Sequence, residues 1–214
     1  MFQRYIAEIG KSQRLEVINR LKRSQGLSVG ELAKALGMSY MGIKQHCVDL
    51  EKRGYLYTWR DPRIGPQAGR PKLLYRLTPR ALALFPSTSN ESTRRLLESA
   101  RDLYGSAAPE KLLYQMFQRK TEDYQAKVKG DTLAKRVASF AALRDAEGCM
   151  AEADHDGHYW YITEHHTLIG DLLEAYPTLL PRLEQVMFGQ VLGRPVVREP
   201  KGIMGLYCCA FRVE

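Results

Sequence analysis

Nowhere does the sequence hold an unbroken apolar run near the roughly 20 residues that a membrane-spanning helix needs. Its opening stretch, MFQRYIAEIGKSQR, lacks the apolar core of a secretory signal, so a cytoplasmic protein is expected. Cysteine is scarce: Cys47, Cys149, Cys208 and Cys209 are the only four in 214 residues, and the adjacent pair would point to opposite faces of a strand. That distribution argues against a disulfide framework and fits a reducing compartment. A Gly-rich phosphate loop, a nucleophile elbow and a paired-cysteine zinc motif are all missing, which argues against an enzyme. The cluster EHH with Asp171 leaves a weak acid–base alternative. No internal repeat or low-complexity segment interrupts the chain.

What the chain does have is positive charge, unevenly placed. The net charge is +8, yet residues 1–86 carry 16 Lys and Arg against six Asp and Glu, whereas the remainder carries 16 against 18. Phosphate contacts need clustered cations, so a polyanion-binding module joined to a near-neutral partner domain would be charged in this way. A solvated basic face without a ligand is the competing explanation.

Hydrophobic spacing in the basic third predicts three short helices over 13–23, 29–36 and 40–53. Ser28 with Glu31 three residues on, and Gly37 at the far end, bracket the second helix. Ser39 caps the third, in which Ile43, Cys47 and Leu50 fall at i, i+4 and i+7. Two β-rich runs, 55–60 and 73–77, flank DPRIGPQAGRPK, which reads as a hairpin with a basic tip, and Thr78 is placed as the cap of a short helix ending at Leu84. Beyond Pro86, helices are expected over 91–104 and 108–127 as a linker that shares in dimer contacts. A further helix over 132–146 leads to strands over 149–153 and 159–163 around the turn HDGH. Helices over 167–176 and 178–192, then strands near 196–198 and 205–213, complete the chain. The expected class is therefore α+β. The expected divisions are a winged helix-turn-helix domain over 1–86, a helical linker over 87–130 and an α+β regulatory domain over 131–214.

Three helices followed by a basic hairpin suggest a third helix lying in the major groove, where its N-terminal side chains reach base edges. Those side chains are Ser39, Tyr40, Met41, Lys44, Gln45 and His46. An amide such as Gln45 can pair with adenine, Lys44 can donate to guanine or phosphate, and Met41 can touch a thymine methyl. Gly42 permits close approach to DNA or to the preceding helix. In the hairpin, Arg60, Arg63, Arg70 and Lys72 are the expected phosphate or minor-groove contacts. Cys47, at a core position, is expected to pack as a small hydrophobe. The implied partners are double-stranded DNA with an inverted-repeat operator and a second copy of the chain; a protein-docking or RNA-binding role for the same module is the alternative.

The run SVGELAKALGMSYMGIKQHCVDLEKRGYL, followed by GRPKLLYRLTPRALALFP, resembles the winged-helix head of bacterial DeoR/ArsR-type regulators. The similarity to SufR-like repressors of iron–sulfur assembly extends into CMAEADHDGHYWYITEHH and LYCCAFRV, which implies a dimeric repressor. In those relatives a cysteine follows a motif like EHH and another lies further on; here Thr167 and Leu180 stand at those positions, so the family's cluster is not expected. No cofactor is therefore expected, with zinc or iron near His165, His166, Cys208 and Cys209 as the alternative; His155 and His158 lie close in sequence. The aromatic residues Tyr159, Trp160, Tyr161, Tyr176, Phe188 and Tyr207 suit either a packed core or the lining of a small-effector pocket.

Overall fold

The computed structural model describes residues 13–24, 26–60, 73–85, 91–202 and 206–214. The chain is mixed α+β and divides into two compact units, Met1–Pro86 with Ile203–Leu206, and Ser87–Gly202 with Tyr207–Glu214. Among the described residues no helix is long and apolar enough to cross a membrane.

In the first unit, α1 (Gln13–Lys22), α2 (Val29–Leu36) and α3 (Tyr40–Lys52) converge on one apolar centre. The second of these needs strong ends because it has only eight residues. Ser28 Oγ accepts from Glu31 N at 3.3 Å, and Glu31 Oε2 accepts from Ser28 N at 2.8 Å, closing a capping box. Gly37, at φ 63°, ends the helix in the left-handed conformation that favours glycine. On α3 the expected stripe is the buried one: Ile43, Cys47 and Leu50 are all 0% exposed. Burial, followed by the charge of Glu51, pushes the Cys47 thiol up to about 12, so it packs as a protonated, apolar group.

The hairpin follows as β1 (Leu56–Arg60) and β2 (Leu73–Leu77), antiparallel, with Leu56 opposite Leu77 and Arg60 opposite Leu73. Leu27 adds a single bridge to Tyr75 on the other side of β2 through two backbone hydrogen bonds of 3.2 and 2.8 Å. That approach requires Gly26, whose φ is 126° and whose Cβ, if present, would stand 3.0 Å from the Arg76 side chain. Arg76 in turn lies over the Trp59 ring, 3.5 Å from its centroid. The helix expected over 78–84 is a 3₁₀ turn, Pro79–Leu84. Thr78 Oγ1 donates back to Gly54 O at 2.7 Å and ties the turn to the end of α3.

The second unit comprises α4 (Glu91–Tyr104), α5 (Ala108–Lys127), α6 (Leu133–Arg144), a wide turn over Asp145–Cys149, β3 (Ala151–His155), β4 (Trp160–Glu164), α7 (Gly170–Ala175), α8 (Leu179–Leu192), β5 (Val196–Pro200) and β6 (Cys209–Val213). Its antiparallel sheet runs in the order β3-β4-β6-β5. The core is aromatic at its centre: Phe188 stacks on Phe211 with centroids 3.7 Å apart, and Phe140 lies 4.7 Å from Phe188 and 5.0 Å from Tyr124. Tyr124 belongs to α5, whose Leu113, Phe117, Thr121 and Tyr124 form a buried stripe at helical spacing. Residues expected to make a separate linker thus contribute to this unit's core, because that stripe packs along α8.

Two boundaries move for local reasons. Strand β3 starts at Ala151 because Cys149 completes the wide turn and Met150 takes a left-handed backbone at φ 53°. Helix α7 starts at Gly170 because Thr167 Oγ1 accepts from Ile169 N at 3.3 Å, holding 167–169 in a side-chain turn. The turn between β3 and β4 is fixed by Asp156, which accepts from His158 N, Tyr159 N and Tyr161 Oη at 2.8–2.9 Å. Those bonds hold its carboxyl down at about 2.

Candidate nucleic-acid interface

The face of α3 opposite Ile43, Cys47 and Leu50 is open. Tyr40 is 56% and Met41 68% exposed, and Ser39, Lys44 and Gln45 are exposed with them, within the first two turns. Tyr40 and Met41 are adjacent, so two of the large apolar side chains left exposed among the described residues stand together at the start of a helix whose other side is closely packed. The first turn carries no acidic residue. Further along, Asp49 is occupied by Arg14 at 3.0 Å and Arg53 at 3.2 Å, which offsets the negative charge on the helix. The open N-terminal turns thus combine a cation, an amide, a phenol and a thioether with the positive end of the helix dipole.

Ser39 has a second duty besides any groove contact, because its hydroxyl accepts from Gly42 N at 3.1 Å and caps the helix. Gly42, expected to permit close approach, serves that cap: a Cβ there would stand 3.1 Å from Ser39 Oγ. His46 is half-buried, with Nε2 3.2 Å from Gln13 Oε1. Gln13 was not among the candidates, and a contact spanning 33 residues leaves no periodic signal in the sequence. In the hairpin, Arg60 is exposed at the end of β1. The other three expected contacts, Arg63, Arg70 and Lys72, lie outside the described residues.

The histidine and cysteine residues of the second unit are dispersed over several tasks. His165 Nδ1 lies 3.8 Å from Cys208 Sγ, and His165 Nε2 lies 4.0 Å from Glu152. Cys209 does not join them; its thiol is buried, contacts Ala210 O at 3.9 Å, and is pushed up to about 12 by burial. His166 is buried, and its backbone N–H donates to Cys149 O at 3.0 Å. His155 Nδ1 accepts from Gly157 N at 3.1 Å inside the β3–β4 turn, and His158 is exposed. Among the described residues no group of three or more His, Cys, Asp or Glu side chains converges on a common point. Thr167 is half-buried and Leu180 is 0% exposed within α8. Of the candidate pocket aromatics, Phe188 is wholly core, Trp160, Tyr161, Tyr176 and Tyr207 are half-buried, and Tyr159 is 41% exposed.

Compared with known proteins, the chain matches no protein-family model, no curated protein and no solved structure.

Proposed function

We propose that the protein is a sequence-specific DNA-binding transcriptional regulator whose first unit is a winged helix-turn-helix module. The open N-terminal face of α3 carries this reading: Tyr40, Met41, Lys44 and Gln45 stand exposed on a helix anchored by a buried stripe. Helices α2 and α3 supply the helix-turn-helix, β1 and β2 the wing, and Leu27 the short third strand. The surplus of cations in residues 1–86 supplies the electrostatic attraction that draws such a module onto phosphates.

The regulator acts as a homodimer on an inverted-repeat operator, with its two α3 helices about 34 to 36 Å apart in successive major grooves. Support comes from α4, where Leu96 is 68% and Leu103 74% exposed, seven residues apart on one helix face. A second copy would bring the same stripe, the self-complementary condition that a two-fold interface requires. Light scattering on wild type and on Leu103→Lys tests the dimer, and a wild-type monomer at micromolar concentration overturns it.

Selection from a random duplex pool, followed by fluorescence anisotropy over a salt series, tests DNA binding. The expected result is a palindromic site whose affinity falls steeply with salt. Lys44→Ala or Gln45→Ala changes base preference, and Arg63→Ala or Arg70→Ala lowers affinity for all duplexes alike. Absence of affinity for any duplex at low ionic strength refutes the proposal.

A further inference from the structure

The second unit contains a cavity of about 690 Å³, within the size range of small-molecule sites. Its apolar wall is made by Leu112, Met116 and Phe117 of α5, Leu168 and Ile169 ahead of α7, and Met187 of α8. Six charged groups also line it: Arg119 and Asp123, which are exposed, and Lys120, Arg144, Glu147 and Glu184, which are paired. Arg144 grips both oxygens of Glu164, at 2.6 and 3.0 Å, and donates to Tyr124 Oη at 3.0 Å and to Glu147 at 3.3 Å. Glu147 receives Tyr124 Oη as well, and Lys120 Nζ stands 3.8 Å from it.

Glu184 differs from these. It lines the same cavity, is only 1% exposed, and is held through Oε2 by Arg198 Nε at 3.0 Å. Among the described residues its other oxygen carries no hydrogen bond, so this buried carboxyl, unlike the solvent-exposed Asp123 of the same lining, keeps an acceptor free for an incoming donor beside the apolar wall. A donor that is also a cation gains most, since a charge leaving water needs a charged partner to offset its lost hydration. Phenyl and thioether groups, here Phe117, Met116 and Met187, are soft surfaces that suit the body of an organic cation.

We infer that this cavity binds a small, mostly apolar amine whose ammonium group donates to Glu184. The site stands apart from the DNA-binding reading, because ligand binding is measured on the full chain with no DNA present. Isothermal titration with three probes of matched body tests it: phenethylamine, phenylethanol and phenylacetate. The amine is expected to bind saturably and roughly tenfold or more tighter than the other two. Glu184→Gln, which keeps an oxygen for Arg198, is expected to remove that preference, read as a fall in the ratio of amine to alcohol affinity. Ile169→Trp, which fills the chamber from the other wall, is expected to abolish binding of all three; thermal unfolding of each variant confirms that it is folded. The inference is overturned if phenylacetate binds tightest, which would make Arg119 and Lys120 the recognising groups. It is equally overturned if Glu184→Gln leaves amine affinity intact, or if none of the probes binds at millimolar concentration.

Discussion

The two units bury charge in different ways. In the first, the helices turn apolar side chains inward at Ile18, Leu32, Ile43 and Leu50, Lys44 and Arg60 face solvent, and the buried cations Lys22 and Arg76 lie over the Phe85 and Trp59 rings. In the second, Arg144, Glu164 and Glu184 are each no more than 5% exposed, beside the aromatic centre of Phe140, Phe188 and Phe211. An outward array attracts a large polyanion at long range and costs little to maintain. An inward array must be paired group by group, because desolvation of each charge is offset only by well-placed partners. The first arrangement accords with the proposed DNA-docking face and the second with the proposed amine site.

The sharpest way to break this contrast is to leave one buried charge without its partner. Glu164→Gln takes away the carboxylate that grips Arg144, and a loss of about 3 to 5 kcal/mol is expected in urea unfolding. A loss no larger than that of a surface pair would mean that the cluster is hydrated. In the first unit the comparable cut is Ile43→Ala, expected to cost about 3 kcal/mol through lost burial and a cavity, and to abolish DNA binding with it.

A third measurement uses pH. Burial pushes the Glu184 carboxyl up to about 7, against the pull of Arg198, with Glu164 adding to the rise and Arg144 opposing it. The folded chain therefore holds this proton more tightly than the unfolded chain does. The stabilisation it brings is complete below the ordinary value of 4.5 and is lost as pH rises through about 7. Glu184→Gln removes that dependence, so between about pH 5 and about pH 8 the wild type should lose on the order of 2 kcal/mol more than the variant. Equal losses would show that the carboxyl titrates as an exposed one.

The smallest effects are expected at the open face of α3. Ser39→Ala removes the cap to Gly42 N and should cost about 1 kcal/mol. Lys44→Ala should leave the urea midpoint within about 0.5 kcal/mol of wild type, because its side chain is exposed. Under the proposed function its effect is expected only in DNA sequence preference, which would separate recognition from folding.

How far the sequence disclosed the molecule also differs between the units. Capping residues and helical spacing act within one turn, so Ser28, Glu31, Gly37 and the stripe Ile43, Cys47, Leu50 could be located from local pattern alone. The face of α3 offered as the candidate interface is open for the same reason. Long-range partners leave no such mark: neither Gln13 beside His46 nor the choice of α8 as the partner of the α5 stripe is encoded by spacing. The chamber was missed for a related cause. Glu184 sits on an otherwise apolar helix face, and a buried carboxylate there resembles an exposed one until Arg198, 14 residues away, is brought beside it. A lone acid within VMFG-type apolar surroundings is the signal that was available.

Burial of the thiols gives the molecule an internal clock. Cys47 lies in the centre of the first unit, and Cys149 and Cys209 lie inside the second, each 0% exposed and each pushed up to about 12 chiefly by burial. A protonated, enclosed thiol reacts with an alkylating reagent only when its surroundings open. Modification of half-buried Cys208 marks time zero, and the later arrival of label at Cys47 against Cys149 and Cys209 reports separately how often each half of the chain comes apart.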